Sequence, residues 1–207
     1  MTSVSRIARR SPPPSSTYGF QKLACEYYAQ GAWEQYKVPY TICRPFNCVG
    51  IGERRALTDR EIPSGNIKLA LSHVVPDLAL KTLHGQDPLH ILGEGNQVRH
   101  YTYGGDLARG IRIAMESPKA VNDDFNLSTA ESTTVLELAE AIWRKVHGPG
   151  TPFRYVTDPP FEHDVQRRIP DVRKAREVLG FEATTTLDDM LDEVVPWIRN
   201  ELAGVSA

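Results

Sequence analysis

The 207-residue sequence contains few cysteines and no long apolar run, and each shortage excludes a class of protein. The three cysteines, Cys25, Cys43 and Cys48, form no Cys-x-x-Cys pair, so they provide no metal-binding cluster. An odd, sparse set of thiols instead favours a reduced, cytoplasmic protein. No apolar stretch approaches the roughly 18 residues of a membrane span, and the basic residues 1–10 lack the apolar segment of a secretory signal.

An excess of charge of either sign is also missing. The sequence has 24 Lys and Arg residues against 26 Asp and Glu residues, which gives a formal net charge of −2. This balance gives no basis for attraction to nucleic acid or to a membrane, so we expect neither as a partner. The six histidines show no ligand spacing, and we therefore expect no metal site.

The sequence also has no glycine-rich phosphate-binding turn. Neither Gly-x-Gly-x-x-Gly nor Gly-x-x-Gly-x-x-Gly occurs in it. In dinucleotide-binding folds such glycines let the backbone approach the pyrophosphate closely. Gly50-Ile51-Gly52 and Gly93-Glu94-Gly95 lack the spacing, and Gly104-Gly105 has no third glycine. The residues of this chain therefore do not predict a complete dinucleotide site.

Among the residues that are present, Tyr18 and Lys22 have the clearest chemical use. They are four residues apart, which is one helical turn, so a helix places both side chains on one face. A free phenol has a pKa of about 10, too high for a base at neutral pH, but a nearby cation favours the phenolate. A phenolate can take a proton from an alcohol. The spacing alone occurs often by chance and does not identify a catalytic pair.

Hydrophobic periodicity predicts alternating helices and strands, which is the pattern of an α/β protein. Helices are predicted over residues 18–36, 69–83 (bent near Pro76), 106–115, 135–146, 172–179 and 187–201. Strands are predicted over residues 40–43, 89–92, 98–103, 124–127 and 153–156. The Gly-Glu-Gly-Asn turn predicts a hairpin between 89–92 and 98–103, Asp106 is read as a helix N-cap, and Thr134 with Glu137 predicts a capping box. Residues 51–66 are predicted to form a loop near a cleft.

Several motifs in a fixed order resemble those of a known family. They are Pro-x-Ser-x-Tyr-Gly-x-x-Lys around Tyr18, Arg44-Pro45-Phe46-Asn47, Gly93-Glu94-Gly95-Asn96-Gln97-Val98-Arg99, Tyr103 with Asp106-Leu107-Ala108, Phe125-Asn126-Leu127, and Gln166-Arg167-Arg168-Ile169-Pro170-Asp171. Over residues 12–200 the sequence resembles the NAD-dependent epimerases and dehydratases, which are extended short-chain dehydrogenases/reductases that act on nucleotide sugars.

The resemblance implies an α/β fold, namely the C-terminal part of a Rossmann-type extended short-chain dehydrogenase/reductase fold plus a small mixed α/β nucleotide-sugar-binding domain. It predicts a flexible N-terminal arm over residues 1–17 and the last elements of the Rossmann domain over residues 18–50. Residues 51–207 would mainly form the substrate domain, with some strands, including 124–127, rejoining the Rossmann sheet. We therefore expect the chain to correspond to the C-terminal portion of such an enzyme, without its glycine-rich N-terminal half.

The resemblance also implies roles for residues on the cofactor side. Tyr18 corresponds to the catalytic base that removes a proton from a sugar hydroxyl. Lys22 corresponds to the lysine that holds the nicotinamide ribose of NAD and tunes the tyrosine. Pro45 would lie against the cofactor. Tyr27, Tyr28, Trp33 and Tyr36 could form the face of a homodimer, although a monomer core explains them equally well.

Four further residues are implied to contact the substrate. Asn47 and His73 correspond to substrate-facing positions, although a turn residue and a locally packed histidine are the structural alternatives. Arg99 and Arg168 suit a diphosphate, because a guanidinium offers paired donors that match phosphate oxygens. The alternative for either arginine is a surface salt bridge, which contributes about 0–1 kcal/mol.

The function implied by the resemblance is that of an NAD-dependent nucleotide-sugar epimerase or decarboxylase that transfers a hydride between a sugar carbon and NAD. The segment 166–171 particularly resembles UDP-glucuronate decarboxylases and close epimerases, which favours a UDP-sugar as the substrate. The rival interpretation is a non-catalytic nucleotide-sugar-binding or interaction module that has lost the dinucleotide site. The identity of the sugar and the choice between epimerisation, decarboxylation and dehydration stay open.

Overall fold

The structure is a computed structural model, and it describes residues 17–53, 62–64, 67–69, 73–160 and 165–204. For 62–64 and 67–69 the description is limited to the backbone. The N-terminal arm predicted over residues 1–17 lies outside these ranges, apart from Thr17, which begins the first helix. Most of the loop predicted over 51–66 also lies outside them, and its residues 62–64 form a short strand instead.

Helices and strands alternate along the described chain, as the periodicity predicts. The helices are α1 (Thr17–Tyr36), α2 (Val74–Leu83), α3 (Gly104–Glu116), α4 (Val135–His147), α5 (Arg173–Leu179) and α6 (Leu187–Leu202), with a 3-10 turn at Pro118–Ala120. The strands are β1 (Thr41–Pro45), β2 (Cys48–Val49), β3 (Ile62–Ser64), β4 (Ile67–Leu69), β5 (Leu89–Leu92), β6 (Val98–Arg99), β7 (Thr102–Tyr103), β8 (Asp123–Leu127), β9 (Thr133–Thr134) and β10 (Tyr155–Asp158).

The described strands associate in pairs, and three of the pairs are parallel. β1 runs parallel to β8, with Thr41 opposite Asp123 and Pro45 opposite Leu127. β5 runs parallel to β10, and β2 runs parallel to β7. β3 with β4 and β6 with β9 are antiparallel. In parallel pairs the carboxyl ends of the strands meet at one edge, which is where ligands bind in open α/β sheets.

Two separate groups of apolar side chains are buried. The larger group joins α2, β5, α4 and α6, and its fully buried members include Leu78, Leu89, Ile142 and Leu191. The smaller group lies against β8, α3 and α5, and it consists of Leu107, Ala120, Phe125, Leu127, Ala175 and Phe181. The division of the chain at residue 50 into Rossmann and substrate parts stays a prediction.

Helix α2 is shorter than the helix predicted over residues 69–83. It begins at Val74, and residues 67–69 form strand β4 opposite β3. Pro76 is the third residue of α2, so it lies in the first turn, where backbone N–H groups have no partner within the helix. A proline there removes no helical hydrogen bond, and the predicted bend is therefore not required.

The hairpin predicted around Gly93-Glu94-Gly95-Asn96 is wrong. The strand before this turn pairs with β10, while the strands after it pair with β9 and β2. Gly93 and Gly95 adopt positive φ angles of 70° and 78°, which glycine tolerates best. The turn therefore redirects the chain from one strand pair to another rather than joining two neighbours.

The capping box predicted at Thr134 is confirmed, because its hydroxyl accepts from the backbone N–H of Glu137 and the Glu137 carboxylate accepts in return. The N-cap prediction for Asp106 is wrong, since Tyr103 occupies that position in α3. Asp106 instead accepts hydrogen bonds from the backbone N–H groups of Thr184 and Thr185 at 3.0 and 2.9 Å. Burial alone would raise its pKa, but these bonds and one from Arg109 outweigh burial and lower the pKa below its ordinary value.

Candidate functional site

A cavity of about 440 Å³ opens beside the carboxyl end of β1, the first residues of α1 and the beginning of α2. Its wall includes the predicted site residues Tyr18, Pro45, Asn47, His73 and Arg168. Side chains of α6 close another part of the wall. The structure thus brings five of the seven predicted site residues around one cavity, although they come from distant parts of the chain.

Helix α1 places Tyr18 and Lys22 on one exposed face, as their spacing predicts. The ammonium nitrogen of Lys22 lies 5.3 Å from the centroid of the Tyr18 ring. This distance is within the roughly 6 Å over which a cation is attracted to an aromatic ring. Tyr18 is 69% exposed at the edge of the cavity, so a ligand can approach the phenol from solvent. The pair has the composition that proton transfer to or from an alcohol requires.

Ion pairs attach α1 to the sheet. Arg44, on β1, donates from Nε and Nη2 to the two carboxylate oxygens of Glu26, each at 2.6 Å, and from Nη1 to Asp124 at 2.6 Å. The hydrogen bond with Glu26 is the main cause that raises the pKa of Arg44. Glu26 lies four residues beyond Lys22 on α1. The guanidinium of Arg44 therefore fixes the position of the helix that carries Tyr18 and Lys22.

Asn47 is held in an unusual backbone conformation on the cavity wall. Its φ angle is 36°, which is uncommon for a residue other than glycine. Its backbone oxygen accepts from the N–H of Thr102 at 3.1 Å, and its side-chain Nδ2 donates to the backbone oxygen of His100 at 3.1 Å. Strained residues of this kind persist where the surroundings fix them, often at ligand sites. Asn47 therefore presents a fixed carboxamide, bonded to the backbone between β6 and β7, at the cavity.

Arg99 and Arg168 lie on adjacent segments, but they face different surroundings. The backbone N–H of Val98 donates to the backbone oxygen of Gln166 at 2.8 Å, and the backbone N–H of Arg168 donates to the backbone oxygen of Val98 at 3.2 Å. Arg168 is exposed and lines the cavity. Arg99 is not among the described residues that line it, and its Nη1 donates to the backbone oxygens of Val98 and Gln166 at 3.0 and 3.5 Å.

Two residues of the cavity wall were missed by the sequence interpretation. Glu53 pairs with His73, with 2.5 Å between Oε1 and Nδ1. Tyr101 is 2% exposed, and its hydroxyl has no hydrogen-bond partner among the described residues. Burial raises the pKa of Tyr101, and the charge of Arg99 offsets part of that rise. The available signal for Glu53 was its nearness to the Asn47 motif, since its partner His73 lies 20 residues away along the chain. The available signal for Tyr101 was its position two residues beyond Arg99.

Other kinds of site find no support in the part of the chain that the structure describes. No three or more His, Cys, Asp or Glu side chains gather there in a way that could hold a metal ion. Among the same residues, no helix has both the length and the apolar character needed to span a bilayer.

The chain belongs to the NAD dependent epimerase/dehydratase family, whose pattern it matches over residues 3–128, more than half of its length. The match confirms the family that the motifs predict. It covers the segment that contains Tyr18, Lys22, Asn47, His73 and Arg99.

Individual relatives share the fold of this chain, and the chain matches only part of the length of each relative. UDP-glucuronic acid decarboxylase 1 from Xenopus tropicalis is 28% identical over 189 residues, which are 91% of this chain and 40% of the relative. The structure of UDP-glucose 4-epimerase from Thermotoga maritima with UDP-glucose is 31% identical, with a TM-score of 0.75, over 94% of this chain and 57% of the other. MoeE5, solved with UDP-glucuronic acid and NAD, is 25% identical, with a TM-score of 0.72, over 92% and 57% of the two chains. The predicted Rossmann-type α/β fold is confirmed, and the chain spans about half the length of the relatives it matches.

Proposed function

We propose that the protein acts as an NAD-dependent nucleotide-sugar epimerase or decarboxylase, with a UDP-sugar as its substrate. The observation that carries the proposal is the arrangement of Tyr18, Asn47, His73 and Arg168 around one cavity. Membership of the family and likeness to proteins solved with UDP-glucose or UDP-glucuronic acid support this choice of substrate.

In this proposal Tyr18 removes the proton from a sugar hydroxyl. The ammonium of Lys22, 5.3 Å from the centroid of the Tyr18 ring, places a positive charge beside the phenol that exchanges the proton. The position of Tyr18 at the cavity edge lets its oxygen meet a hydroxyl of a ligand that occupies the cavity. Arg44 contributes indirectly, since its bonds to Glu26 hold α1 in place.

The residues of this chain fit one end of NAD. Tyr18 and Lys22 form an exposed polar face, and Pro45 is exposed where β1 ends at the cavity. Lys22 and Pro45 would hold the nicotinamide ribose there. Bound NAD⁺ supplies the acceptor for the hydride that leaves the sugar carbon. The fit is confined to this end, because the sequence contains no glycine-rich turn for the pyrophosphate.

On the substrate side, Arg168 and Asn47 are proposed to bind the diphosphate and the sugar. A guanidinium keeps its charge at any working pH and offers paired donors to phosphate oxygens. The beginning of α2, whose first N–H groups have no partner within the helix, adds a favourable dipole for an anion. Arg99 is proposed to reach the same diphosphate from the adjacent segment, with its guanidinium anchored to backbone oxygens.

We further propose a cytoplasmic homodimer that associates through α1. Phe20, Leu23, Ala24, Tyr27 and Tyr28 line an open surface hollow of about 360 Å³ on this helix. Phe20 and Tyr28 are 62% and 79% exposed, and exposed apolar side chains of this size favour burial against a partner. Sedimentation of the purified chain tests this proposal, and a monomer at micromolar concentration would contradict it.

The test of the catalytic proposal separates ligand binding from turnover. UDP-glucose and UDP-glucuronic acid are supplied with NAD⁺, and the sugar products are separated by chromatography. Because the relatives are about twice as long, the assay uses the chain alone and a chimera that carries the N-terminal half of the Thermotoga enzyme. We expect the chain alone to bind UDP-glucose weakly and the chimera to convert a UDP-sugar.

Tyr18→Phe is the diagnostic variant, because it removes the hydroxyl that exchanges the proton. We expect it to lower turnover by about 10²–10⁴-fold while UDP-glucose binding is retained. Tyr36→Phe, on the same helix, 74% exposed and outside the hollow described above, is the matched control and should retain turnover. Binding of UDP-glucose without turnover in the chimera would favour a non-catalytic binding module. No binding at all would rule out the substrate site.

A further inference from the structure

A network of charged side chains joins α5 to α1 across the parallel strands β8 and β1. Lys174, on α5, places its Nζ 2.5 Å from Oδ1 of Asp123 and 3.5 Å from Oδ1 of Asp124. Oδ2 of Asp124 accepts from Nη1 of Arg44, whose other two nitrogens donate to Glu26 on α1. The network therefore ends on the helix that carries the proposed base.

Asp124 is the member of the network that the two cations share. Lys174 approaches one of its carboxylate oxygens and Arg44 donates to the other. Burial alone would raise the pKa of Asp124, but Arg44 and Lys174 outweigh burial and hold the pKa below its ordinary value. Asp124 is therefore ionised at neutral pH, and its charge is divided between a cation on β1 and a cation on α5.

Contacts between α5 and β8 fix the position of Lys174. Its ammonium lies 5.1 Å from the centroid of the buried Phe125 ring, within the range of attraction between a cation and an aromatic ring. Ala175, the next residue of α5, is buried in the same cluster as Phe125. Just before α5, the backbone oxygen of Asp171 accepts from Nδ2 of Asn126 at 3.0 Å. The ammonium is therefore held beside the two aspartates of β8.

The balance of charge in the network indicates what Lys174 does. Three carboxylates, Glu26, Asp123 and Asp124, share two cations. Without Lys174, the two neighbouring carboxylates of β8 would lose one of these cations. Among the described residues, Arg44 would then be the one cation bonded to either of them. Their combined charge would draw the guanidinium towards β8 and away from α1. Lys174 thus leaves two guanidinium nitrogens for Glu26.

We propose that Lys174 is a positioning residue for Tyr18, because its charge lets Arg44 hold α1. The inference rests on the proposed function, since it takes Tyr18 as the group that exchanges a proton with the sugar. Lys174 is not among the described residues that line the cavity, so it acts through the network and not on the ligand. A displacement of a reacting group by about 1 Å can lower a rate by about 100-fold.

Amide hydrogen exchange of the full 207-residue chain, without ligand, tests the coupling between Lys174 and α1. We expect Lys174→Gln to speed exchange within residues 17–36 by about three- to tenfold, with little change within residues 187–202. Lys174→Arg keeps the charge and should exchange as the native chain does. Arg176→Gln, on the same helix and in an exposed pair with Glu182, is the matched control and should also leave α1 unchanged.

A double substitution identifies the route by which Lys174 acts. Glu26→Gln removes the charge through which the network holds α1. In that background Lys174→Gln should speed exchange within residues 17–36 further by less than about twofold. An acceleration of the same size in both backgrounds would mean that Lys174 acts on α1 by another route, and it would overturn the inference.

Fluorine NMR of the chain labelled with fluorotyrosine reports on the phenol itself. The chain has eight tyrosines, and Tyr18→Phe and Tyr155→Phe each remove one signal and so assign it. We expect Lys174→Gln to shift the signal of Tyr18 and Lys174→Arg to restore it. The signal of Tyr155, on β10, should stay in place in both variants. A purely local role of Lys174 at the surface of β8 would leave the signal of Tyr18 unchanged.

Three results would overturn the inference while the proposed function stands. They are native exchange in α1 of Lys174→Gln, an equal acceleration in α1 and α6, and an unchanged signal of Tyr18. Both measurements are made without substrate, so they do not depend on turnover. Full turnover by Tyr18→Phe would overturn the proposed function and, with it, the catalytic purpose of the positioning, even where the exchange and the fluorine signal respond to Lys174.

Discussion

Helices α1 and α6 both border the cavity, but they are held in opposite ways. α6 buries five apolar side chains, Met190, Leu191, Val194, Val195 and Ile198. Along α1 the one buried residue is Gln30, and the bonds between Glu26 and Arg44 attach the helix to β1. Full burial of a large apolar side chain contributes about 1.5–3 kcal/mol. The wall formed by α6 is therefore part of the core, whereas the wall that carries Tyr18 depends on a few polar contacts.

The largest effect on stability is expected for a substitution in α6, the well-packed helix of the two. Leu191→Ala removes a fully buried side chain from the cluster around α6, so it should lower the free energy of unfolding by about 2–5 kcal/mol. Chemical denaturation measures the change. Phe20→Ala on α1, at a position that is 62% exposed in the single chain, is the matched substitution; at a protein concentration that keeps the chain monomeric it should change stability by at most about 0.5 kcal/mol. Similar losses for the two variants would contradict the difference between the helices.

The next effect concerns the contact that joins α3 to the beginning of α6. Asp106→Asn replaces a buried charged acceptor of two backbone N–H groups, which should cost about 2–3 kcal/mol at pH 7. Because the pKa of Asp106 in the folded state lies below its ordinary value of 3.8, its stabilisation is present above that value and is lost as the pH falls further.

Chemical denaturation at pH values from 7 to 2 tests the predicted loss of stability as the pH falls. The native chain should lose part of its stability below about pH 4, and the variant should lose less over that range. Parallel pH profiles for the two proteins would show that Asp106 contributes no linked stability.

A smaller effect is expected for the contact between Glu26 and Arg44, which attaches α1 to β1. Glu26→Gln removes the charge that Arg44 binds with two hydrogen bonds, and we expect α1 to open more easily by about 1–2 kcal/mol. Amide hydrogen exchange within residues 17–36 should become about 5- to 30-fold faster, with little change in α6. Glu140→Gln is the control, because its pair with Arg144 is exposed and contributes under about 1 kcal/mol. Equal changes in α1 and α6 would refute the local attachment.

The smallest effect on stability is expected at the proposed catalytic residue. Tyr18→Phe removes one hydroxyl from a side chain that is 69% exposed, so the free energy of unfolding should change by at most about 0.5 kcal/mol. Thermal unfolding measures this change beside the turnover assay. A large loss of stability would mean that Tyr18 supports the fold, and its effect on activity could then not be assigned to proton transfer.

The sequence predicts the presence of each described helix, because the periodicity of apolar residues is a local property of the chain. Helix 135–146 and its capping box at Thr134 depend on neighbouring residues, and both are confirmed. The predicted hairpin fails for the opposite reason, since β5 and β10 are brought together from distant segments. Local alternation shows that a strand exists, but it does not show which strand is its neighbour.

The residues of the candidate site also differ in whether a local sequence signal or a contact between distant segments reveals them. Tyr18 and Lys22 are found by their spacing and Asn47 by its motif, and Tyr18 and Asn47 both line the cavity, with Lys22 beside the Tyr18 ring. The pairs Glu26–Arg44 and Glu53–His73 could not, because they join residues 18 and 20 positions apart through tertiary packing. A charge in a polar segment carries no local signal of the partner it meets in the fold.

The parallel pairing of β1 with β8 joins two strands that are made at different times during protein synthesis. The contact beside it, from the N–H of Tyr40 to the Oδ1 of Asn122, spans 82 residues. Closing a flexible loop of that length costs about 4 kcal/mol of chain entropy. At about 5–20 residues per second, β1 leaves the ribosome about 4 to 16 seconds before its partner strand does. Throughout that interval its backbone N–H and C=O groups are open to pairing with other nascent chains.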